Sequence, residues 1–160
     1  RRSRGLGDVY KRQAYAGVQL MDGARELVER LQKRGIFVAI VSAGVDLFVA
    51  SIAGMLKVND WIANGFEFNE DDTLGDEGIC RLHATGKGEI IERLLEMNNL
   101  KPEGCVSIGD SEMDLSMLID GGHFIGFNPT RESSLSSFES AGVPIVVGNN
   151  LLDIAPYLGV

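Results

Sequence analysis

Residues 36–44 read IFVAIVSAG, a continuous apolar run rich in β-branched side chains that ends in three small residues. A run of this kind, without polar alternation, is the pattern of a strand buried on both faces of a parallel sheet. The stretch before it has helical spacing. Asp22 can cap a helix whose apolar residues Ala24, Leu27, Val28 and Leu31 recur at i, i+3, i+4 and i+7, and Gly35 ends it. Helix followed by buried strand predicts α/β architecture. After the strand, Ser42-Ala43-Gly44 reads as a short turn into a second helix over residues 45–56.

Downstream the same alternation continues. WIANGFEF (61–68), a polar turn around 69–72 and a short run near Ile79 predict a hairpin over about residues 60–82. Lys87 opens a helix with Ile90, Ile91, Leu94 and Leu95 on one face. Residues 105–108 form a short buried strand, and Gly109-Asp110-Ser111 turns it into a helix carrying Leu115, Leu118 and Ile119. Residues 124–127 and 144–147 supply two more short strands around a Ser-rich segment, and residues 151–158 a closing helix interrupted by Pro156. Strands alternating with helices at this spacing indicate βαβ units and a doubly wound parallel sheet.

Composition narrows the function classes. The chain of 160 residues is 44% hydrophobic and 24% charged, as expected of one globular domain. Its apolar runs are far shorter than the roughly 20 residues that span a bilayer, so no membrane helix is expected. Two distant cysteines, Cys80 and Cys105, suggest neither a disulfide framework nor a zinc site and fit a reducing cytoplasm. The net charge is −8, yet residues 1–13 (RRSRGLGDVYKRQ) carry five Lys/Arg and one Asp. The remaining 147 residues hold 10 basic and 22 acidic side chains. Such an acidic body is a poor nucleic-acid binder, because phosphate-backbone affinity comes from clustered Lys and Arg. The basic start has no apolar signal-peptide core and no initiator Met. It reads as a non-native, adapter-derived tail ahead of a single domain over 14–160.

In open α/β sheets ligands sit beyond the carboxyl ends of the strands, so the residues there are the candidates for chemistry. Ser42, with the amides of Ala43 and Gly44, could hold an anion at a helix N-terminus, or Ser42 could simply cap the helix. Asp110 and Asp114, four residues apart, can face one crevice and suit a hard cation such as Mg²⁺. The alternative is a capping box, since Ser111-x-x-Asp114 has its spacing. Lys87 at the start of a helix opposes the helix dipole, a placement that gains sense if it faces an anion.

Taken in order, strand then Ser42-Ala43-Gly44, Lys87 before a helix, and strand then Gly109-Asp110-Ser111-Glu112-Met113-Asp114 resemble motifs two, three and four of the haloacid dehalogenase superfamily. The nearest likeness is to phosphoserine phosphatases and related small-molecule phosphatases, from about Gly17 to at least Pro129. The resemblance implies Mg²⁺-dependent hydrolysis of a small phosphorylated metabolite through a covalent aspartyl-phosphate. Ser42, Ala43, Gly44 and Lys87 would grip the phosphoryl group, and Asp110 would hold Mg²⁺. Asp114 would support the metal's water shell or Lys87.

The family's first motif, an apolar strand ending in Asp-x-Asp that supplies the nucleophile, does not occur in the sequence. That strand lies centrally in the family, between the strands before Ser42 and before Asp110. The chain is therefore expected to be a fragment lacking its first central strand and cap, inactive by itself and poorly stable because unpaired strand edges are exposed. Met113 stands where many phosphoserine phosphatases carry Asn, and Met donates no hydrogen bond. The competing reading is a non-catalytic α/β module that binds phosphate or a protein partner.

Overall fold

The computed structural model describes residues 17–69 and 74–160. The basic start (1–13), Asp71 and Asp72 lie outside the described residues. Two compact units emerge: one holds the described residues up to Leu20 with Ala24–Leu82, the other Met21–Gly23 with His83–Val160. The strands form two three-stranded sheets, one in each unit. The α/β class, the parallel strands and the hairpin expected from sequence are all present.

In the first unit, helix α1 (Ala24–Lys33) turns Ala24, Leu27, Val28 and Leu31 inward, the stripe its spacing predicts. Gly35 adopts φ +74°, which lets the amide of Ile36 bond back to Leu31 and close the helix. Strand β1 (Ala39–Val45) leads into α2 (Asp46–Leu56), and β1 pairs in parallel with β2 (Asp60–Phe68). β2 then pairs antiparallel with β3 (Leu74–Ile79), completing the hairpin. Arg25 Nη1 donates to Met55 O at 2.5 Å and Gln32 Nε2 to Lys57 O at 2.8 Å, tying α1 to the end of α2.

β1 differs from its sequence reading in two ways. Pairing begins at Ala39↔Asp60, because Val38 is taken up by Asn59, whose Oδ1 accepts from Val38 N at 2.9 Å. The strand then runs through Ser42-Ala43-Gly44 instead of ending before it. The register jumps from Ser42↔Ala63 to Val45↔Asn64, so Ala43 and Gly44 are extra residues in a bulge, which is how the small-residue turn is realised. Nor is β1 buried on both faces: its residues are half-buried except Gly44, which is exposed.

In the second unit, α3 (Lys87–Met97) precedes β4 (Val106–Gly109), β5 (His123–Phe127), α4 (Glu132–Ala141) and β6 (Ile145–Val146), and the three strands are parallel in the order β4-β5-β6. The helix expected after Asp110 is a tight 3-10 segment, Glu112–Met117, and the closing segment Leu151–Leu158 is 3-10 as well. The core includes Phe138 and Ile154, both fully buried, and the buried Phe124 and Ile125 of β5. Phe124 and Phe138 meet at 5.4 Å between centroids, tilted by 52°. Gly126 has no side chain because a Cβ there would lie 2.4 Å from the Phe138 ring. Phe138→Ala is therefore expected to lose about 3–5 kcal/mol of stability, read as a lower urea midpoint.

β1 and β4 are each an edge of their own sheet, with one hydrogen-bonded neighbour among the described residues. These are the two strands that the family resemblance places on either side of its first strand.

Candidate functional site

The second unit gathers three of the residues singled out from sequence at the carboxyl end of β4. Lys87 is the first residue of α3, and its ammonium is buried against Asp114, with Nζ donating to Oδ1 at 2.5 Å. The other carboxylate oxygen of Asp114 accepts from Asp110 N (3.1 Å), Ser111 N (3.1 Å) and Ser111 Oγ (2.9 Å). The bond from Ser111 N is the returning half of a capping box. Gly88 and Gly109 make the assembly possible. A Cβ at Gly88 would lie 2.6 Å from Ser116 O, and one at Gly109 2.3 Å from Asp114 Cβ, so α3 and the turn after β4 approach at backbone distance.

The same bonds explain the 3-10 segment. Asp114 is pulled back over the turn, Asp114 N bonds Ser111 O at 2.9 Å, and Ser116 Oγ back-bonds Met113 O at 2.8 Å. Burial alone would raise the Asp114 carboxyl pKa, but the Lys87 ammonium and the Ser111 donors outweigh it and hold the group below the ordinary carboxylate value.

Asp110, one residue past β4, is exposed, and its carboxylate has no hydrogen bond or ion pair with another described residue. It thus presents a free hard-oxygen donor beside a buried Lys–Asp pair. Asp114 differs: four protein donors meet roughly four lone-pair positions. Its carboxylate faces Lys87 and Ser111 rather than an open crevice. The donor set accordingly fits a Mg²⁺ ion through one carboxylate, Asp110, with waters and phosphate oxygens completing the shell as that ion prefers. No cluster of three or more His, Cys, Asp or Glu suited to a metal occurs among the described residues.

Ser42, Ala43 and Gly44 belong to the first unit. Gly44 N donates to Ser42 Oγ at 3.1 Å, which leaves the Ser42 hydroxyl proton available to an acceptor. The bulge separates Ser42 from the start of α2 at Asp46, so the helix N-terminus expected to hold an anion lies four residues on.

Three residues around this bulge, Asn64, Arg81 and Asp46, are not among the candidate site residues drawn from the sequence. Asn64 uses its side-chain amide on both sides: Nδ2 donates to Ala43 O (3.1 Å) and Leu82 O (3.0 Å), and Oδ1 accepts from Arg81 N (2.8 Å) and Leu82 N (3.0 Å). Arg81 pairs with Asp46 at 3.1 Å and donates to Ala63 O at 2.9 Å. Asn in the middle of a β-like run is itself a signal, since strands are depleted in it.

Elsewhere in the second unit, Glu112 is held by the hydroxyl of Ser134 and, to a lesser degree, that of Ser133, which lower its pKa. Asn128 exchanges two bonds with the Gly148 backbone (2.7 and 2.9 Å), which tie the end of β5 to the segment after β6. His83 lies in a loop and His123 at the start of β5.

A sequence profile for haloacid dehalogenase-like hydrolases matches residues 1–118, and the chain belongs to that family. It is phosphoserine phosphatase-like within it. The phosphoserine phosphatase of Methanocaldococcus jannaschii is 33% identical over 106 residues, 66% of this chain and 50% of that protein. The human enzyme of the same name is 34% identical over 112 residues, 68% of this chain and 49% of that one. The chain thus spans about half the length of these relatives. Among solved structures, a phosphoserine phosphatase in apo form superposes with TM-score 0.77 at 24% identity, covering 96% of this chain and 79% of that one. A phospho-aspartyl intermediate analogue of phosphoserine phosphatase does so with TM-score 0.77 at 25% identity, covering 96% and 76%. No described helix is long and apolar enough to cross a membrane.

Proposed function

We propose that the chain carries the phosphate grip and the metal carboxylate of a cytoplasmic, Mg²⁺-dependent phosphomonoester hydrolase. Its substrate is a small phosphorylated metabolite of phosphoserine-like character. The observation that carries this reading is the buried Lys87–Asp114 pair at the carboxyl end of β4, with the exposed Asp110 carboxylate, unpaired among the described residues, beside it. Phosphoryl transfer needs positioning and charge stabilisation more than covalent chemistry from most of the site. Lys87 contributes a fixed positive charge to the phosphoryl oxygens, and Asp114 holds that ammonium in place. This reading assigns the Ser42 hydroxyl and the Ala43 and Gly44 amides to the phosphoryl group as well, the Gly44 amide exchanging its 3.1 Å bond to Ser42 Oγ for it. Asp110 would ligate Mg²⁺, which when bound supplies charge neutralisation to the phosphate.

The attacking group is an aspartate carboxylate from an Asp-x-Asp strand. Its oxygen forms a bond to phosphorus as the ester oxygen leaves and takes up a proton. Water then hydrolyses the acyl phosphate, regenerating the carboxylate and releasing inorganic phosphate. Because the 160 residues contain no such strand, the chain by itself does not turn over.

The test is to recover the coding sequence upstream and assay the longer protein on an aryl phosphate and on phosphoserine, with Mg²⁺ and with a chelator. The expected result is an in-frame apolar strand ending in Asp-x-Asp and hydrolysis that the chelator abolishes. An upstream sequence without that strand, together with no phosphate release, would leave the non-catalytic binding module as the function.

A further inference from the structure

We propose that Asn64 is a positioning residue for the phosphate grip, one that locks the Ser42–Gly44 bulge to the chain leaving the hairpin. The inference rests on the reading of Ser42, Ala43 and Gly44 as phosphate ligands. A two-residue bulge has no ladder partner of its own, so something else must fix where its amides and the Ser42 hydroxyl point. Asn64 does so from the opposite strand. It stands in register with Val45, and its amide fills every hydrogen-bonding position it has: one N–H on Ala43 O, the other on Leu82 O, and the oxygen on the amides of Arg81 and Leu82. The carbonyl of Ala43 and the peptide of Leu82 are thereby held by one planar group.

The surroundings leave this group no freedom. A Cβ on Gly65 would lie 2.1 Å from Asp46 Oδ2, so β2 is pressed against the Asp46–Arg81 pair immediately beside Asn64. Ala63, on the other side, is buried, as is Leu82. A purely structural hairpin clip would need only the two bonds to Arg81 and Leu82 amides. The bond to Ala43 is the one that reaches the grip.

The experiment uses the ¹⁵N-labelled chain with inorganic phosphate as the probe. In the unmodified chain, phosphate is expected to shift the amide resonances of Ser42, Ala43 and Gly44. At saturation it should also slow hydrogen exchange at Arg81 and Leu82, whose amides are held by Asn64. Asn64→Ala is expected to weaken phosphate affinity about tenfold.

Asn59→Ala is the comparator. It is neutral, of the same residue type, and removes the acceptor for Val38 N at the other end of β1. It is expected to lower stability with phosphate affinity changed by less than about twofold. Equal weakening by both variants would overturn the inference. So would unchanged exchange at Arg81 and Leu82 while Ala43 and Gly44 respond, a readout that holds even if Asn64→Ala fails to fold. If phosphate leaves residues 42–44 unmoved in the unmodified chain, the grip itself is refuted and this role with it.

Discussion

Asp114→Ala is expected to destabilise the second unit by about 3–5 kcal/mol. The size follows from what is left behind. The side chains of Lys87 and Asp114 are each only 10% exposed, so removing the carboxylate strands an ammonium that water barely reaches. It also orphans the amides of Asp110 and Ser111, which the same carboxylate serves. Adding Lys87→Met to Asp114→Ala should recover part of the loss, because the uncompensated cation goes while the two amides stay unsatisfied. Urea unfolding followed by circular dichroism measures all three proteins. A loss below about 1 kcal/mol in the single variant would show that the pair is solvated rather than buried.

The same carboxylate sets a pH dependence with a definite sign. Its pKa in the folded chain is lowered, against about 3.9 in the unfolded chain. Between those two values the unfolded state binds more protons, so stability rises with pH there. The contribution is present in full above the unfolded value and is lost as pH falls through the folded one. Asp114→Asn should remove that acid-side slope, and an unchanged slope would assign it to other carboxylates.

Which features were legible follows from the range of the interactions that make them. Helix α1 was readable because its stripe and its Gly35 stop are local in sequence. Lys87, Asp110 and Asp114 stand out in the sequence because each sits at the junction of a strand or loop with a helical turn, and the structure brings them together at the carboxyl end of β4. The boundary of β1 was not, because the bulge exists only relative to Ala63 and Asn64 on the partner strand. The 3-10 form of Glu112–Met117 was not either. The spacing of Leu115, Leu118 and Ile119 favours an α-helix, while the conformation answers to Lys87 and Gly88 on another helix. Asn64 joins residues 17 to 21 positions away, and one sequence gives no indication of such partners.

In the longer protein that the proposed phosphatase function calls for, Asp110→Ala is expected to lower kcat/KM about a thousandfold or more while leaving the fold intact. Both halves of that statement come from the position of the side chain. It is exposed and makes no ion pair among the described residues, so its removal should change stability by less than about 0.5 kcal/mol. Its backbone amide, which does bond Asp114, is untouched by the substitution. Lys87→Ala should depress activity to a similar degree but also lowers stability, since it leaves the Asp114 carboxylate buried without its cation. The pair of variants therefore separates chemistry from folding: a stable Asp110→Ala protein with activity within tenfold of the parent would remove Asp110 from the metal site. Asp110→Asn sharpens the reading further. Replacing the charged ligand with a neutral amide weakens the hold on a hard cation, so the Mg²⁺ concentration for half-maximal activity should rise, whereas a residue with only a structural part in the turn would leave that concentration where it was.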